Sequence, residues 1–392
     1  MEKEYMKMKT KKNIKFYMLF VFFSNLNIMS SFLSLYLSDI GLSLSLVSSV
    51  FLLYQATKFL LEVPTGYVAD RYGRKFSGIL GMILMILSYL LLLTMNNQAI
   101  TAYIFVFIQA LGYTFISGSV ESLFVDSIDN ELLVHWNAVE RIIFYFALAL
   151  SSVMGGIVIH NLGYSLAICI DIFALFVTTC TILLMKEKKT ENISPKKEKG
   201  QRYKLPVNQR NILFALYLID FAKAFSYVGV QDLYALYLQQ FGLTSNIIGI
   251  IIAFQFVISS LFGLLTPNLQ KYMRNETLLY VLPAIQVIIT IPAYALNINV
   301  WIVPFLYILQ SIIFSLYAPV KYQLFQKNLD TSFRARALSF QSIMISMGSI
   351  LFYGFSSIAG RYLALSHTVT IALVITLLLI LVSSGILSKS DF

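Results

Sequence analysis

Apolar residues occur along this chain in long runs that are separated by short polar stretches. A helix that crosses a lipid bilayer needs about 20 mostly apolar residues in a row. The runs therefore predict twelve membrane-spanning segments. They lie near residues 14–38, 44–65, 76–95, 99–126, 138–160, 164–185, 209–240, 244–266, 277–296, 299–326, 336–360 and 366–388.

The longest polar stretch lies in the middle of the chain and carries two charge runs, Lys186-Glu-Lys-Lys189 and Pro195-Lys-Lys-Glu-Lys199. Runs of this kind are typical of solvated linkers. The stretch divides the predicted segments into six and six. We therefore expect an N-terminal six-helix half at 1–185, a cytoplasmic linker at 186–208 and a C-terminal six-helix half at 209–392.

Composition agrees with a membrane environment, because 58% of the 392 residues are hydrophobic and only 12% are charged. Soluble domains carry about 25% charged residues. A water-soluble fold of this size has no means of hiding so much apolar surface, so lipid is the expected solvent for much of it. The chain is predicted to be an all-α membrane protein.

The formal charge of +10 is concentrated on one side of the predicted membrane. With the N-terminus in the cytoplasm, the basic residues of the tail, the even-numbered loops and the linker all lie inside, and the outer loops receive only Arg361. This asymmetry predicts a multi-pass protein of the cytoplasmic membrane with both termini inside. It also assigns the positive charge to the bilayer surface rather than to a nucleic acid.

Cysteines and histidines indicate no metal or cofactor site. Cys169 and Cys180 lie in one apolar segment without metal-ligand spacing, and His160 and His367 lie near predicted outer helix ends. We expect no cofactor, no metal and no disulfide framework.

A polar motif follows the second predicted segment, Glu62-Val-Pro-Thr-Gly66-Tyr-Val-Ala-Asp70-Arg71-Tyr-Gly73-Arg74-Lys75. Glycine permits close backbone approach or a positive φ, which indicates a tight turn. Asp70 is placed where a helix N-terminus or an arginine can bind it. Arg74 and Lys75 fit a cytoplasmic loop.

This motif resembles the loop between the second and third helices of the major facilitator superfamily, whose pattern Gly-x-x-x-Asp-Arg-x-Gly-Arg-Lys is met at every fixed position. The resemblance implies the major facilitator fold, with twelve transmembrane helices in two six-helix halves. It further implies secondary transport by alternating access, and the Pro-Thr-Gly-x-x-Ala-Asp-Arg version looks most like bacterial efflux-type members.

The same resemblance implies a cytoplasmic gate. Asp126 matches the acidic partner of the motif arginine, so Arg74 would pair with it. Arg336, in Arg334-Ala-Arg336, resembles the start of the family's eleventh helix, which Asp70 would contact. The expected gate residues are Gly66, Asp70, Arg71, Gly73, Arg74, Lys75, Asp126 and Arg336.

Ionisable side chains inside predicted spans are costly and suggest function. The candidates for proton coupling or substrate binding are Lys58, Glu121, Asp171, Asp220 and Lys223. Asp220 and Lys223 have i,i+3 spacing on one helix face and could pair. That pair would either serve the transported molecule and a proton, or simply neutralise two buried charges.

Glu121 has no oppositely charged neighbour in sequence, and a carboxyl in apolar surroundings binds a proton readily. It is therefore the leading candidate for proton coupling, with a bond to Lys58 as the alternative. Lys58 has a second possible partner in Glu62, four residues away. Asp171 either lines an outer cavity or has a structural role.

We therefore predict a monomeric secondary transporter, not an enzyme, that exports a small organic molecule or drug by proton antiport. The alternative is proton-coupled uptake of a nutrient such as a sugar, peptide or organic anion. Two departures weaken the resemblance to drug/proton antiporters: the fifth segment keeps only Gly155-Gly156 of the usual glycine-proline motif, and the fourth lacks an arginine. No nucleotide-binding motif occurs, which argues against ATP-driven transport.

Overall fold

The computed structural model describes residues 2–95, 98–128, 130–187, 207–273, 275–296, 298–327 and 331–388. Every regular element in these ranges is an α-helix, as predicted. Those before the linker are α1 (Glu2–Asn25), α2 (Met29–Asp39), α3 (Leu44–Tyr72), α4 (Arg74–Leu93), α5 (Ala99–Ile116), α6 (Ser119–Val125), α7 (Asn130–Leu162) and α8 (Tyr164–Leu184). Those after it are α9 (Val207–Asp232), α10 (Tyr234–Gln239), α11 (Ser245–Gly263), α12 (Thr266–Tyr272), α13 (Asn275–Ala295), α14 (Ile302–Lys327), α15 (Thr331–Ala359) and α16 (Leu365–Leu387).

Eleven segments within the described residues are long and apolar enough to cross a membrane. The predicted segment 277–296 corresponds to α13, whose described apolar stretch, Val281–Ala295, is shorter than the other spans. Pro283 and Pro292 lie inside this helix. The chain is thus a multi-pass helical membrane protein.

Packing divides the chain into two compact units. Unit 1 comprises Met1–Leu42, Leu53–Ser194 and Leu243–Ala253, and unit 2 comprises Ser43–Leu52, Pro195–Gly242 and Phe254–Phe392. The start of α3 therefore packs within unit 2, and the start of α11 packs within unit 1. The predicted linker at 186–208 falls mostly outside the described residues, so the division at that point stays a prediction.

Three predicted spans are interrupted rather than continuous. Segment 14–38 is broken at residues 26–28 between α1 and α2, and segment 209–240 is broken at Leu233 between α9 and α10. Segment 99–126 is broken at Gly118, whose φ of 73° ends the α-helical path before α6. Hydrophobicity predicts which segments lie in lipid, but it does not predict where a helix is interrupted.

Close helix packing in unit 1 depends on small residues. A Cβ on Gly156 of α7 would lie 2.5 Å from the carbonyl oxygen of Ser245, at the start of α11. A Cβ on Gly249 of α11 would lie 2.3 Å from the carbonyl oxygen of Ser152. These glycines let the two backbones touch, as small residues do between membrane helices.

Helix α9 is the central element of unit 2. In its span, 67% of the apolar window is buried, against 28–44% in the other ten spans. Most membrane helices here expose one side to lipid, whereas α9 is surrounded by protein. Asp220 and Lys223 both lie on this enclosed helix.

Candidate functional site

Lys223 lies at the centre of a buried group in unit 2 that we name the Lys223 cluster: Lys223, Tyr227, Gln286, Phe314 and Tyr317. The Lys223 side chain is 8% exposed. Its Nζ donates to Gln286 Oε1 and to the Tyr317 hydroxyl. It also lies 4.3 Å from the ring centroid of Tyr227 and 4.8 Å from those of Phe314 and Tyr317. The ammonium is thus held by two neutral acceptors and three aromatic faces.

A chain of hydrogen-bonded amides extends from this cluster. Gln286 Nε2 donates to Gln310 Oε1 at 2.7 Å, and Gln310 Nε2 donates to Ser311 Oγ at 2.8 Å. Gln255 Nε2 donates to the same Ser311 oxygen at 3.0 Å. The chain joins α11, α13 and α14 around the buried lysine. These glutamines are not among the candidates taken from the sequence, which were ionisable side chains within spans.

Asp220 does not pair with Lys223. Its Oδ1 accepts from Lys321 Nζ of α14, and its Oδ2 accepts from Gln341 Nε2 of α15 at 2.7 Å. Asp220 is 5% exposed. The i,i+3 pairing considered from the sequence is therefore wrong as the direct contact, because neighbouring helices supply closer partners. Lys321 was missed, since it lies near the end of a predicted span where a lysine is unremarkable.

In unit 1, ionisable residues from several helices lie around Tyr113. Lys58 Nζ lies 4.1 Å from the Tyr113 ring centroid and 5.2 Å from that of Tyr54. The carboxylates of Glu62 and Glu121 both interact electrostatically with Tyr113. Lys58, Glu62 and Glu121 thus all act on Tyr113, and the pairing of Lys58 with either carboxylate stays a prediction.

A third carboxylate, that of Glu140, belongs to this group and was not predicted. The Tyr17 hydroxyl donates to Glu140 Oε1 at 3.2 Å, and the Tyr17 ring stacks on Phe124 at 3.9 Å between centroids. Glu121 interacts electrostatically with both Tyr17 and Glu140. Glu140 is the third residue of the predicted segment 138–160. It was missed because a charged residue is ordinary at the edge of a span.

We name this group the Glu121 cluster; its members are Tyr17, Lys58, Glu62, Tyr113, Glu121 and Glu140. Unlike Lys223, the carboxylates of Glu62 and Glu121 are exposed on unit 1, and Glu140 is half-buried. An exposed carboxylate costs less to ionise and exchanges protons with water more easily than an enclosed one.

Asp171 has a structural position. It is 1% exposed, and its Oδ1 and Oδ2 accept the backbone N–H groups of Ile28 and Met29 at 2.7 and 2.9 Å. These N–H groups begin α2, directly after the break in the first span. The side chain from α8 thus satisfies donors that the interruption leaves without helical partners. Of the two roles considered for Asp171, the geometry favours the structural one.

The polar motif forms the connection between α3 and α4. Gly73 has φ +103°, so the predicted need for an unusual glycine conformation is confirmed there. Gly66 is different, because it lies inside α3 without a positive φ, and a Cβ there would meet nothing within 4 Å. The expectation of a conformational role for Gly66 is wrong in this structure.

Arg74 and Asp126 form an ion pair in unit 1, with side chains 33% and 49% exposed. Glu187 adds contacts that the sequence did not reveal: its Oε1 accepts from the Arg74 N–H at 2.7 Å, and its Oε2 accepts from the Lys75 N–H at 3.3 Å. Glu187 therefore caps the N-terminus of α4.

Other gate candidates are less constrained. Lys75 Nζ donates to the carbonyl oxygens of Leu183 and Met185 at 2.6 and 2.8 Å, tying α4 to the end of α8. Arg71 packs on Tyr72, and Asp70 is exposed. The side chain of Arg336 lies outside the described part of the chain, so its expected contact with Asp70 stays a prediction.

Among the described residues, no group of three or more His, Cys, Asp and Glu side chains is placed to hold a metal ion. The clusters instead offer protonatable carboxylates in unit 1 and an ammonium with amides in unit 2. Such groups can bind polar solutes and exchange protons.

The multiple apolar helices, with charged side chains buried among them, agree with a family comparison. The model of the Major Facilitator Superfamily matches residues 16–353. The chain belongs to the major facilitator superfamily. This superfamily consists of transporters rather than enzymes. A comparison with curated protein sequences finds no match.

Solved structures of transporters share the fold. A bacterial homologue of the iron transporter ferroportin, in an inward-facing state, matches with TM-score 0.76 and 15% identity over 96% of this chain and 98% of its own. The POT family transporter PepTSo matches with TM-score 0.77 and 12% identity over 98% and 99%. A D-xylose–proton symporter matches with TM-score 0.74 and 12% identity over 98% and 97%. At these identities the likeness establishes the fold alone.

Proposed function

We propose that this major facilitator protein is a proton-coupled secondary transporter that exports a small organic molecule across the cytoplasmic membrane by alternating access. It works as a monomer of twelve spanning helices in two six-helix halves, with α13 as the short ninth span. Both termini are cytoplasmic, which the distribution of lysine and arginine supports.

The observation that carries the proposal is the buried ion pair between Asp220 and Lys321. Two charges inside a membrane span are expensive, and removing one partner leaves the other uncompensated. Protonation of Asp220 would have this effect, because it removes the attraction that holds Lys321 on α14 to α9. A proton can thus favour one helix arrangement over another, which is what coupling to a proton gradient requires.

The Glu121 cluster provides the second proton-exchanging group. Glu121 and Glu140 repel each other, and protonation of one relieves that repulsion. Glu121 is exposed on unit 1, which supports proton exchange at this position. We therefore keep Glu121 as the leading coupling residue of the N-terminal half, with Glu140 as its partner.

The contacts around Arg74 support a cytoplasmic gate. Arg74 binds Asp126, and Glu187 binds the backbone of the same turn. We propose that this turn is held rigid in unit 1 so that Asp70, Arg71 and Arg336 can make and break contacts during transport.

Uptake is the second candidate. The D-xylose–proton symporter and PepTSo share the fold, which supports symport as an alternative without assigning their substrates to this chain. Export is preferred because of the motif's resemblance to efflux-type members. The two directions predict opposite changes in cellular accumulation.

Proteoliposome flux tests the proposal. Purified protein would be reconstituted with an internal pH-sensitive dye and exposed in turn to sugars, dipeptides, organic acids and organic cations, with and without a pH gradient. We expect one class to move protons together with solute. Asp220→Asn and Glu121→Gln should each reduce proton movement at least tenfold, whereas Asp39→Asn, at the end of α2, should not.

Two results would contradict the proposal. Flux that does not change with the pH gradient would contradict proton coupling. Full coupling in Glu121→Gln would show that Glu121 is not a coupling residue. In cells, raised accumulation of the solute on expression would replace export with uptake.

A further inference from the structure

The Lys223 cluster contains more positive charge than its neighbours neutralise. Two ammonium groups, those of Lys223 and Lys321, lie near one carboxylate, that of Asp220. That carboxylate is committed to Lys321 and Gln341. Among the described residues, no carboxylate contacts Lys223.

Other acidic groups are too distant to fill this role. Asp232 lies nine residues further along α9, about 13 Å at 1.5 Å per residue. It accepts from the Tyr353 hydroxyl. The aromatic rings around Lys223 offset part of the cost of enclosing an ammonium group, but they carry no net negative charge. A lysine enclosed without a counter-charge either gives up its proton or binds an anion, so an anion that reaches Lys223 stabilises its charged form.

Hydrogen-bond donors without an acceptor lie beside Lys223, while the amide chain leaves one acceptor, Gln255 Oε1, unused. An ammonium has three N–H donors, and the structure uses two, on Gln286 and Tyr317. Ser226, one turn along the same face of α9, is fully buried and its hydroxyl has no partner. The hydroxyl of Tyr294 is also buried without a hydrogen-bond partner. Tyr227 is one of the groups that act on it electrostatically. Unused donors beside an excess positive charge fit an acceptor that carries negative charge.

We propose that the transported molecule carries a carboxylate and that Lys223, assisted by the Ser226 hydroxyl, binds it. This inference rests on the proposed transport function and specifies its substrate class. A carboxylate supplies the missing counter-charge and accepts up to four hydrogen bonds in a planar arrangement. It would enter this site when α9 and its neighbours separate, and would leave Asp220 paired with Lys321.

Thermal stabilisation of purified protein in detergent tests the substrate class. The probes are small monocarboxylates, each paired with its own primary amide and the corresponding amine, such as benzoate with benzamide and benzylamine. We expect at least one carboxylate to raise the unfolding temperature while its amide and amine do not. Stabilisation by amides or amines alone, or by no carboxylate at all, overturns the proposal.

Variants then test the residue. Lys223→Gln should weaken binding of the stabilising carboxylate about tenfold or more, as expected for loss of a hydrogen bond to a charged group. Lys223→Arg should retain part of the affinity. Lys271→Gln removes an exposed lysine of the same unit and should leave affinity unchanged. Undiminished binding in Lys223→Gln overturns the assignment.

Ser226→Ala provides a second test of the site in case the Lys223 variants fail to fold. Its hydroxyl makes no hydrogen bond within the described protein, so its removal should leave the free protein's stability unchanged. We expect it to weaken carboxylate binding several-fold. A purely structural Ser226 would leave binding unaltered, and that result would remove it from the site.

The flux assay separates this inference from the transport function itself. Proton-coupled flux of a neutral or cationic solute that persists in Lys223→Gln would overturn the carboxylate site and leave the transporter intact. Absence of flux for every solute class would count against the proposed function instead.

Discussion

The two units place ionisable side chains in their spans in opposite ways. Unit 1 keeps most of the Glu121 cluster in contact with its surface, and Asp171, the one enclosed carboxylate among its described residues, binds backbone N–H groups. Unit 2 encloses Asp220 and Lys223 on its most buried helix. Similar residues therefore stand in different surroundings: the carboxylates of unit 1 are mostly open at its surface, whereas an enclosed charge in unit 2 needs a partner, and removing that partner disturbs the packing of its helix.

Removing Asp220 should produce the largest effect. Asp220→Ala leaves Lys321 enclosed without a counter-charge, so we expect the free energy of unfolding to fall by about 3–5 kcal/mol. Equilibrium unfolding in mixed micelles would measure it. The double variant Asp220→Asn/Lys321→Met should recover most of the loss. A single-variant loss below about 1 kcal/mol would mean that unit 2 does not depend on this pair.

Asp171 should come next. Asp171→Ala leaves the N–H groups of Ile28 and Met29 without acceptors, at about 1–3 kcal/mol for each group left unsatisfied. Asp171→Asn keeps one oxygen acceptor and should lose less. The same micelle unfolding assay applies. Equal losses in the two variants would contradict a capping role and make the carboxylate charge itself the important property.

Tyr17 tests the more open cluster. Tyr17→Phe removes the hydrogen bond to Glu140 but keeps the ring on Phe124, so we expect a loss of about 1 kcal/mol. Glu140→Gln preserves an acceptor and serves as its matched control. If Tyr17→Phe lowered the free energy of unfolding as much as Asp220→Ala, the two units would not differ in how strongly they depend on their ionisable side chains.

The ion pair of Arg74 and Asp126 should matter least for stability. Both side chains are at least one-third exposed, and exposed pairs contribute at most about 1 kcal/mol. Asp126→Asn should therefore shift unfolding slightly, and the shift should shrink further as salt is raised to about 1 M. A large, salt-independent loss would show that the turn is enclosed in solution.

Much of the fold was predictable because membrane helices are long and apolar. The sequence located the spans, and the resemblance supplied the pairing of Arg74 with Asp126, which the structure contains. Helix breaks were not predictable, because polar residues such as Asn27 also occur within spans that stay helical, as Gln255 does in α11. The break in the first span depends on Asp171, which is distant in sequence.

The partners of the buried charges were the least predictable feature of the structure. Sequence spacing identifies neighbours on one helix, so it offered Lys223 to Asp220. The actual partner, Lys321, lies on α14, 101 positions further along the chain. Gln286 and Glu187 were missed for the same reason. Contacts between helices require three-dimensional information that periodicity does not contain.

The capped break in the first span has a consequence for how the protein is made. The carboxylate that satisfies Ile28 and Met29 lies 143 and 142 residues further along the chain. When the first span enters the bilayer during synthesis, Asp171 has not yet been translated. Lipid supplies no hydrogen bonds, so the newborn segment would remain one unbroken helix. The break would form only when α8 arrives, which makes it a late step in the assembly of helices α1 to α8.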